Sequence, residues 1–161
     1  MLRRPMKSFI ALLSLLLLLT GCTSNYAWKD QKIDLKQRKL FYVESELSDG
    51  KNLHLAIAEE LRNMGYKTTS GYLTMMPREA DTLVSFQSRW TWDFTNYLIE
   101  LNIQVRDPYS GKIIASAGYH RPAIGGTSTD ALIRMTLSKI FSENKPEPSS
   151  SATAPAVSKI R

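Results

Sequence analysis

The chain has 161 residues, of which 43% are hydrophobic and 22% charged, as expected for about one globular domain rather than for a disordered chain. A single cysteine excludes an internal disulfide, and one cysteine with two histidines excludes the usual zinc clusters. Of the net charge of +6, +3 lies in residues 1–21 and +2 in residues 145–161, which leaves +1 for residues 22–144. A folded part this close to neutral has no concentrated basic surface for nucleic acid, so no nucleic-acid partner is predicted.

The N-terminus has the parts of an export signal. Arg3, Arg4 and Lys7 form a basic region, and a mostly apolar run over residues 9–19 follows. As a helix this run would reach about 16 Å, well short of the roughly 30 Å hydrocarbon core of a bilayer. We therefore predict a signal peptide over residues 1–21 and not a membrane-spanning anchor.

The signal ends in Leu19-Thr20-Gly21-Cys22, which resembles a bacterial lipobox. The resemblance implies diacylglycerol attachment to the Cys22 sulfur, cleavage before Cys22 and acylation of the new amino group. The alternative is an ordinary secretory signal followed by a chance cysteine. Because each buried CH₂ adds about 0.8 kcal/mol, two or three acyl chains would hold the protein firmly on membrane lipid.

Thr23 follows the cysteine, whereas the enterobacterial sorting rule associates aspartate at this position with retention in the inner membrane. By that resemblance the predicted location is the outer membrane, facing the periplasm. The inner membrane is the alternative location.

Composition divides the rest of the chain into three parts. Residues 22–38 are predicted to be the acylated N-terminus and a polar linker, whose sixteen residues after the cysteine would reach roughly 20–24 Å. Residues 39–143 are predicted to be the folded domain. Residues 144–161 are rich in Ser, Ala and Pro and lack aromatic residues, so they are predicted to be disordered.

The domain begins with a strand over residues 39–44 (KLFYVE), which is aromatic and β-branched. A helix is predicted next, with Asn52 or Asp49 as its cap and Gly65 just beyond its end. A weaker strand is predicted over residues 66–72. The predicted buried stripe of the helix is Leu53, Ile57, Leu61 and Met64.

Three strands with clear alternation follow, and then a second helix for which Thr129 is the predicted cap. Residues 107–111 have the composition of a hairpin loop between the second and third of these strands. The predicted apolar faces are Val84, Phe86, Trp90 and Trp92 in the first strand, then Ile99, Leu101, Ile103 and Val105, and then Ile113, Ala115, Ala117 and Tyr119. The predicted stripe of the second helix is Ile133, Leu137, Ile140 and Phe141.

The resulting order, β-α-β-β-β-β-α, predicts an α+β two-layer sandwich with a mainly antiparallel sheet and two helices on one face. The other face is predicted to be polar, and either solvated or engaged by a partner. The order resembles that of small envelope lipoproteins, including the lipopolysaccharide-assembly lipoprotein, the periplasmic part of the curli-secretion lipoprotein and families of unknown function. The segment Ala80-Asp81-Thr82-Leu83-Val84, followed by Trp90 and Trp92, resembles some of the latter. The resemblance covers residues 39–142 and implies the fold; no site residue transfers.

No catalytic residue, metal site or cofactor is predicted. Nucleophilic catalysis requires a histidine oriented by an acid beside an activated serine. His54 is expected at a helix edge and His120 at a strand end. The chain has no G-x-S-x-G or H-E-x-x-H motif and no phosphate-binding glycine pattern.

The aromatic residues are the best indication of an interaction site. Trp90 and Trp92 are expected either to pack in the core under a helix or, for Trp92, to lie partly open near a hairpin tip. In the second case Trp92 would anchor a protein partner or a glycan. The candidate partner-binding rim is then Trp92, Tyr109, Tyr119, His120 and Arg121.

These observations predict a membrane-anchored periplasmic lipoprotein that acts as a non-enzymatic binding or envelope-assembly module, with an envelope protein as partner. The alternative is a carrier that binds lipid, lipopolysaccharide or glycan. A small periplasmic hydrolase is less favoured, because the chain offers no convincing acid or nucleophile.

Overall fold

The computed structural model describes residues 24–47, 49–93, 95–121 and 127–142. The predicted signal peptide, Cys22 and the predicted tail lie outside these residues. The elements are β1 (Ser24–Lys29), β2 (Phe41–Glu44), α1 (Leu53–Asn63), β3 (Thr68–Gly71), β4 (Thr82–Asp93), β5 (Thr95–Arg106), β6 (Ile113–His120) and α2 (Thr129–Phe141), with 3₁₀ turns at Leu35–Gln37 and Leu73–Met75.

The strands form one six-stranded sheet in the order β1-β6-β5-β4-β2-β3. Strand β2 runs parallel to β3 and β4, and all other neighbouring strands are antiparallel. Helix α1 makes the crossover between the parallel strands β2 and β3, and α2 packs on β5 and β6. The predicted α+β two-layer sandwich is confirmed.

The core lies between the two helices and one face of the sheet, and it contains most of the predicted apolar stripe and strand residues. Three aromatic rings close one end of it, with the centroids of Phe41 and Tyr66 at 5.0 Å and those of Tyr66 and Phe141 at 4.5 Å. The largest buried core residues include Phe41, Leu53, Ile57, Leu61, Leu101, Ile103, Ile114, Ile133, Leu137 and Ile140.

The prediction of a flexible linker up to residue 38 is wrong for the described part of that segment. Residues Ser24–Lys29 form an edge strand that pairs with β6, from Ser24 opposite His120 to Lys29 opposite Ala115. Farther along, Leu35 is only 1% exposed and packs in the core. The segment is polar because an edge strand can expose both of its faces, while its backbone hydrogen bonds still order it.

At the helix termini, the structure selects one of the two predicted caps of α1 and replaces the predicted cap of α2. Asn52 precedes α1 in a left-handed conformation and makes no capping bond, whereas Asp49 accepts hydrogen bonds from Leu53 N (2.9 Å) and His54 N (3.0 Å). Ser128, not Thr129, caps α2 by accepting from Ala131 N at 3.2 Å. Gly65 has the positive φ of +90° expected after a helix end.

A β-bulge changes the predicted pattern of β5. The register between β4 and β5 shifts at Arg89/Trp90, so that Trp90 lies opposite Leu98 while Arg89 lies opposite Glu100. Ile99 is therefore the extra residue, and Leu98 takes the buried position on the helix side that alternation assigned to Ile99. None of the helices within the described residues has the length and apolar character needed to cross a membrane.

Candidate binding surface on the open sheet face

The face of the sheet opposite the helices is uncovered over four strands. The pairing register places its side chains in three rows that run across β1, β6, β5 and β4. Most of them are polar, as the alternation predicts. We call these twelve residues the open face: Ser24, His120, Glu100 and Arg89 in the first row, Tyr26, Gly118, Asn102 and Gln87 in the second, and Trp28, Ser116, Gln104 and Ser85 in the third.

Beyond β4 the same side of the sheet is covered by the connection between β3 and β4. Tyr42 and Leu83 pack there with Ala80 and Leu40, and the Tyr42 hydroxyl donates to Tyr72 O at 2.7 Å. Burial, and secondarily the negative charge of Glu44, raises the pKa of Tyr42 above its usual value. This small cluster closes one side of the open face.

Two aromatic side chains border the opposite side. The ring of Tyr26 lies across Gly118 and leaves no room there for a Cβ atom, and its hydroxyl donates to Asn102 Oδ1. Tyr26 is nevertheless 50% exposed and Trp28 51% exposed. Small residues on β6 thus allow Tyr26 to lie over the sheet beside the Asn102 side chain.

A cavity of about 270 Å³ lies on the open face near its border with the β3–β4 connection. Arg106 donates through Nη2 to Gln104 Oε1, but its Nε is buried and has no hydrogen-bond partner among the described residues. The lining therefore offers donors and acceptors together. It comprises Glu44, Glu46, Leu73, Leu83, Ser85, Phe86, Gln87, Asn102, Gln104 and Arg106.

The first row of the open face carries a charged cluster. Arg89 Nε donates to Glu100 Oε2 at 2.9 Å, and His120 Nδ1 lies 3.8 Å from the same oxygen. All three side chains are substantially exposed. Exposed pairs of this kind contribute little to stability, about 0–1 kcal/mol, so the cluster mainly gives this end of the sheet its charge.

The five residues of the predicted rim lie at both ends of the sheet. Trp92, 70% exposed, is near the β4–β5 turn, and His120, the last residue of β6, and Arg121 after it lie at the same end of the sheet. Tyr119 is only 6% exposed and belongs to the core. Tyr109 is at the opposite end, where its hydroxyl donates to Arg78 O at 2.8 Å. The structure thus brings three of the five to one end of the sheet.

Tyr26 and Trp28 were missed by the sequence reasoning because they stand in the predicted linker. Their signal was the alternation of Tyr26 and Trp28 with Asn25 and Ala27, which is typical of a strand. Trp90 packs against the core as predicted, and Lys51 Nζ lies 5.8 Å from its ring centroid.

The hydrogen-bonded pair of His54 and Asp49 lies at the start of a helix. His54 Nδ1 lies 2.7 Å from Asp49 Oδ2, and the carboxylate also accepts the two backbone N–H groups at the start of α1. Burial acts to raise the pKa of Asp49, but these hydrogen bonds outweigh it, so the pKa is lowered overall. The described residues contain no group of three or more metal-ligating side chains close enough to hold a metal ion.

No protein-family model matches this sequence, and no curated protein matches it. Among solved structures, it is similar to a PelC dodecamer from Paraburkholderia phytofirmans that carries a leucine-to-methionine substitution, with 13% identity, a TM-score of 0.54, and coverage of 76% of this chain and 100% of that one. A second PelC dodecamer from the same organism gives 13% identity, a TM-score of 0.53 and coverage of 75% and 96%.

A PDZ domain protein from Parabacteroides distasonis gives 10% identity and a TM-score of 0.48, covering 87% of this chain and 41% of that one. At these identities the similarity to the PelC structures concerns the fold alone.

Proposed function

We propose that this protein is a bacterial envelope lipoprotein that acts as a non-enzymatic binding or assembly module. Acylated Cys22 anchors it, at the outer membrane facing the periplasm, and its open face binds a protein of the envelope. The observation that carries the proposal is the open face itself, which has the half-exposed Tyr26 and Trp28 at one border and a polar cavity near the other. Aromatic residues bordered by polar groups are the usual anchors of protein interfaces.

The open face suits a partner surface that offers both donors and acceptors. Arg106 and the amide nitrogens of Gln87 and Gln104 can donate hydrogen bonds, while Glu44 and the amide oxygens can accept them.

The test is capture of partners from detergent-solubilised envelope with the acylated protein as bait. We expect one protein in stoichiometric amount with the wild type, and at least a tenfold lower recovery with the double variant Tyr26→Ala/Trp28→Ala. Leu55→Ala is the matched control, because Leu55 is also 51% exposed but lies on α1, away from the open face. Equal recovery by the double variant and the control would refute the assignment of this face.

A glycan is the second candidate ligand. The half-exposed ring of Tyr26 lies beside the Asn102 amide, which lines the cavity together with Gln87. Sugar hydroxyls, which donate and accept at once, match the mixed lining of the cavity. Recovery of the protein with bound saccharide and no stoichiometric protein would favour this candidate. Calorimetric titration with that saccharide should then show binding that Tyr26→Ala weakens and Leu55→Ala leaves unchanged.

A further inference from the structure

The chain enters the sheet at the same end as the tip of the β4–β5 hairpin. Ser24 pairs with His120, His120 with Glu100, and Glu100 with Arg89, so these four residues lie at one level across the sheet. Strand β1 then runs away from this end. Only one residue, Thr23, separates Ser24 from Cys22.

Two segments extend beyond this level, the chain from Ser24 back to Cys22 and strand β4 after Arg89, and they differ in length. From Ser24 back to Cys22 the chain can extend by at most about 7 Å, at no more than about 3.6 Å per residue. Strand β4 continues past Arg89 to Asp93, and Asp93 pairs with Thr95. Four residues of strand span about 13 Å, which places Trp92 about 10 Å beyond the level of Ser24. While β1 stays paired, a lipid anchor at Cys22 is therefore too short to lift the hairpin clear of the bilayer.

The side chains at this end suit a lipid–water interface. Trp92 is 70% exposed and lies next to the tip. Its indole combines an apolar ring with an N–H donor, and tryptophan is enriched at the headgroup level of membranes for that reason. Arg121 adds a basic group at the same end of the sheet, where it can meet lipid phosphates.

We propose that the hairpin end of the sheet rests on the bilayer, with the Trp92 indole in the headgroup region. This docking rests on the proposed acylation of Cys22. This docking orients the domain, because the strands then run away from the membrane. The open face is directed sideways, along the membrane surface, where a partner can reach it. Trp28 lies four residues along β1 from Ser24, about 13 Å farther from the bilayer.

The experiment uses acylated protein from the full-length chain, purified in detergent and reconstituted into vesicles of phosphatidylethanolamine and phosphatidylglycerol. Part of the lipid carries bromine on the acyl chain close to the headgroup, which quenches nearby tryptophan. We expect clear quenching of the wild-type fluorescence. More than half of this quenching should be lost in Trp92→Phe, and all of it should be retained in Trp28→Phe. Circular dichroism of both variants checks that they fold.

Quenching in Trp92→Phe equal to that of the wild type, or an absence of quenching in anchored wild-type protein, would overturn the docking. Mass spectrometry of the same sample reports acylation of Cys22 separately. If Cys22 is unmodified, coupling its thiol to a maleimide-bearing phospholipid restores the tether. Trp92-dependent quenching in this sample would support the docking geometry, although the lipoprotein proposal would have failed. If that quenching were absent, both the lipoprotein proposal and the docking geometry would be refuted.

Discussion

Asp81 connects the starts of two neighbouring strands, and its replacement gives the sharpest test of how the fold is held. Its carboxylate accepts hydrogen bonds from Lys39 N at 2.8 Å and Leu40 N at 3.2 Å, just before β2, and from the Thr82 hydroxyl at 3.2 Å at the start of β4. Its backbone carbonyl also accepts from Arg38. Asp81→Ala removes the acceptor for all three side-chain bonds.

The cost is set mainly by the two donors that water cannot reach. Leu40 and Thr82 are buried, so the Leu40 N–H and the Thr82 hydroxyl would lose their acceptor, at a cost of about 1–3 kcal/mol for each donor left unsatisfied. Lys39 is exposed and its N–H can be hydrated, so that bond adds about 1 kcal/mol. We therefore expect Asp81→Ala to lower the free energy of unfolding by at least about 3 kcal/mol, and Asp81→Asn by about half of that, since an amide keeps only one acceptor oxygen.

Urea unfolding at neutral pH, followed by circular dichroism, measures this loss as a fall in midpoint of about 1–2 M. Glu79→Ala is the control, because Glu79 is an exposed acid two residues earlier. A midpoint for Asp81→Ala within the error of the Glu79→Ala value would refute the reasoning.

The effect of Asp81 also depends on pH. Burial acts to raise the pKa of Asp81, but the hydrogen bonds from Lys39, Leu40 and Thr82 and the charge of Arg38 outweigh it, so the pKa falls below the usual 3.8. A carboxyl group with a lowered pKa stabilises the folded state above the unfolded-state pKa, and this contribution is lost as the pH falls through the folded-state value. The difference in stability between the wild type and Asp81→Ala should therefore narrow below about pH 4. A difference that stays constant down to pH 2 would contradict this.

Four further variants test three separate features. Gly118→Ala should displace the Tyr26 ring from the sheet and lower the free energy of unfolding by about 1 kcal/mol or less, because only side-chain atoms at the surface need to move. An unchanged near-ultraviolet circular dichroism spectrum together with unchanged partner capture would argue against the position of the Tyr26 ring. Asp49→Ala should cost about 1–2 kcal/mol through the loss of helix capping, whereas Asn52→Gly, at φ 55°, should cost nothing; equal thermal melting of the two variants would contradict the assigned cap. Leu35→Ala should cost about 2–4 kcal/mol in urea unfolding because Leu35 is fully buried, and a change below 0.5 kcal/mol would restore the predicted domain start at residue 39.

The helices and the central strands were predictable from the sequence because each of them buries one face and exposes the other. Leu53, Ile57 and Leu61 recur at helical spacing and are all buried, and Gly65 ends the helix as expected. In the same way, the alternation of apolar and polar residues identified β4 and β6. Because the crossover through α1 makes β2 and β3 parallel, the mixed sheet also agrees with the predicted order of elements.

Strand β1 and the bulge in β5 were not predicted for a different reason, since both depend on contacts between distant segments. Strand β1 has no buried face of its own, so only its pairing with β6 orders it. The extra residue Ile99 depends on the register between two strands, which periodicity within one strand cannot reveal. The cap Ser128 was not predicted because Thr129 beside it is also a residue type that caps helices.

The candidate site was predictable only in part for the same reason. The polar face of β4 and β5 followed from alternation, and so did the possibility of an open Trp92. Tyr109 and Tyr119 were grouped with Trp92 by residue type and position near strand ends, but hairpin geometry sends Tyr109 to the opposite end of the sheet. Tyr26 became part of the site only through its position over Gly118.

Intact-mass spectrometry of the protein isolated from its own membranes tests the lipoprotein proposal most directly. We expect a chain that begins at Cys22 and carries the added mass of a diacylglycerol and a further acyl group on that residue. A chain that retains residues 1–21, or a Cys22 with its free thiol, would contradict both the anchor and the role derived from it.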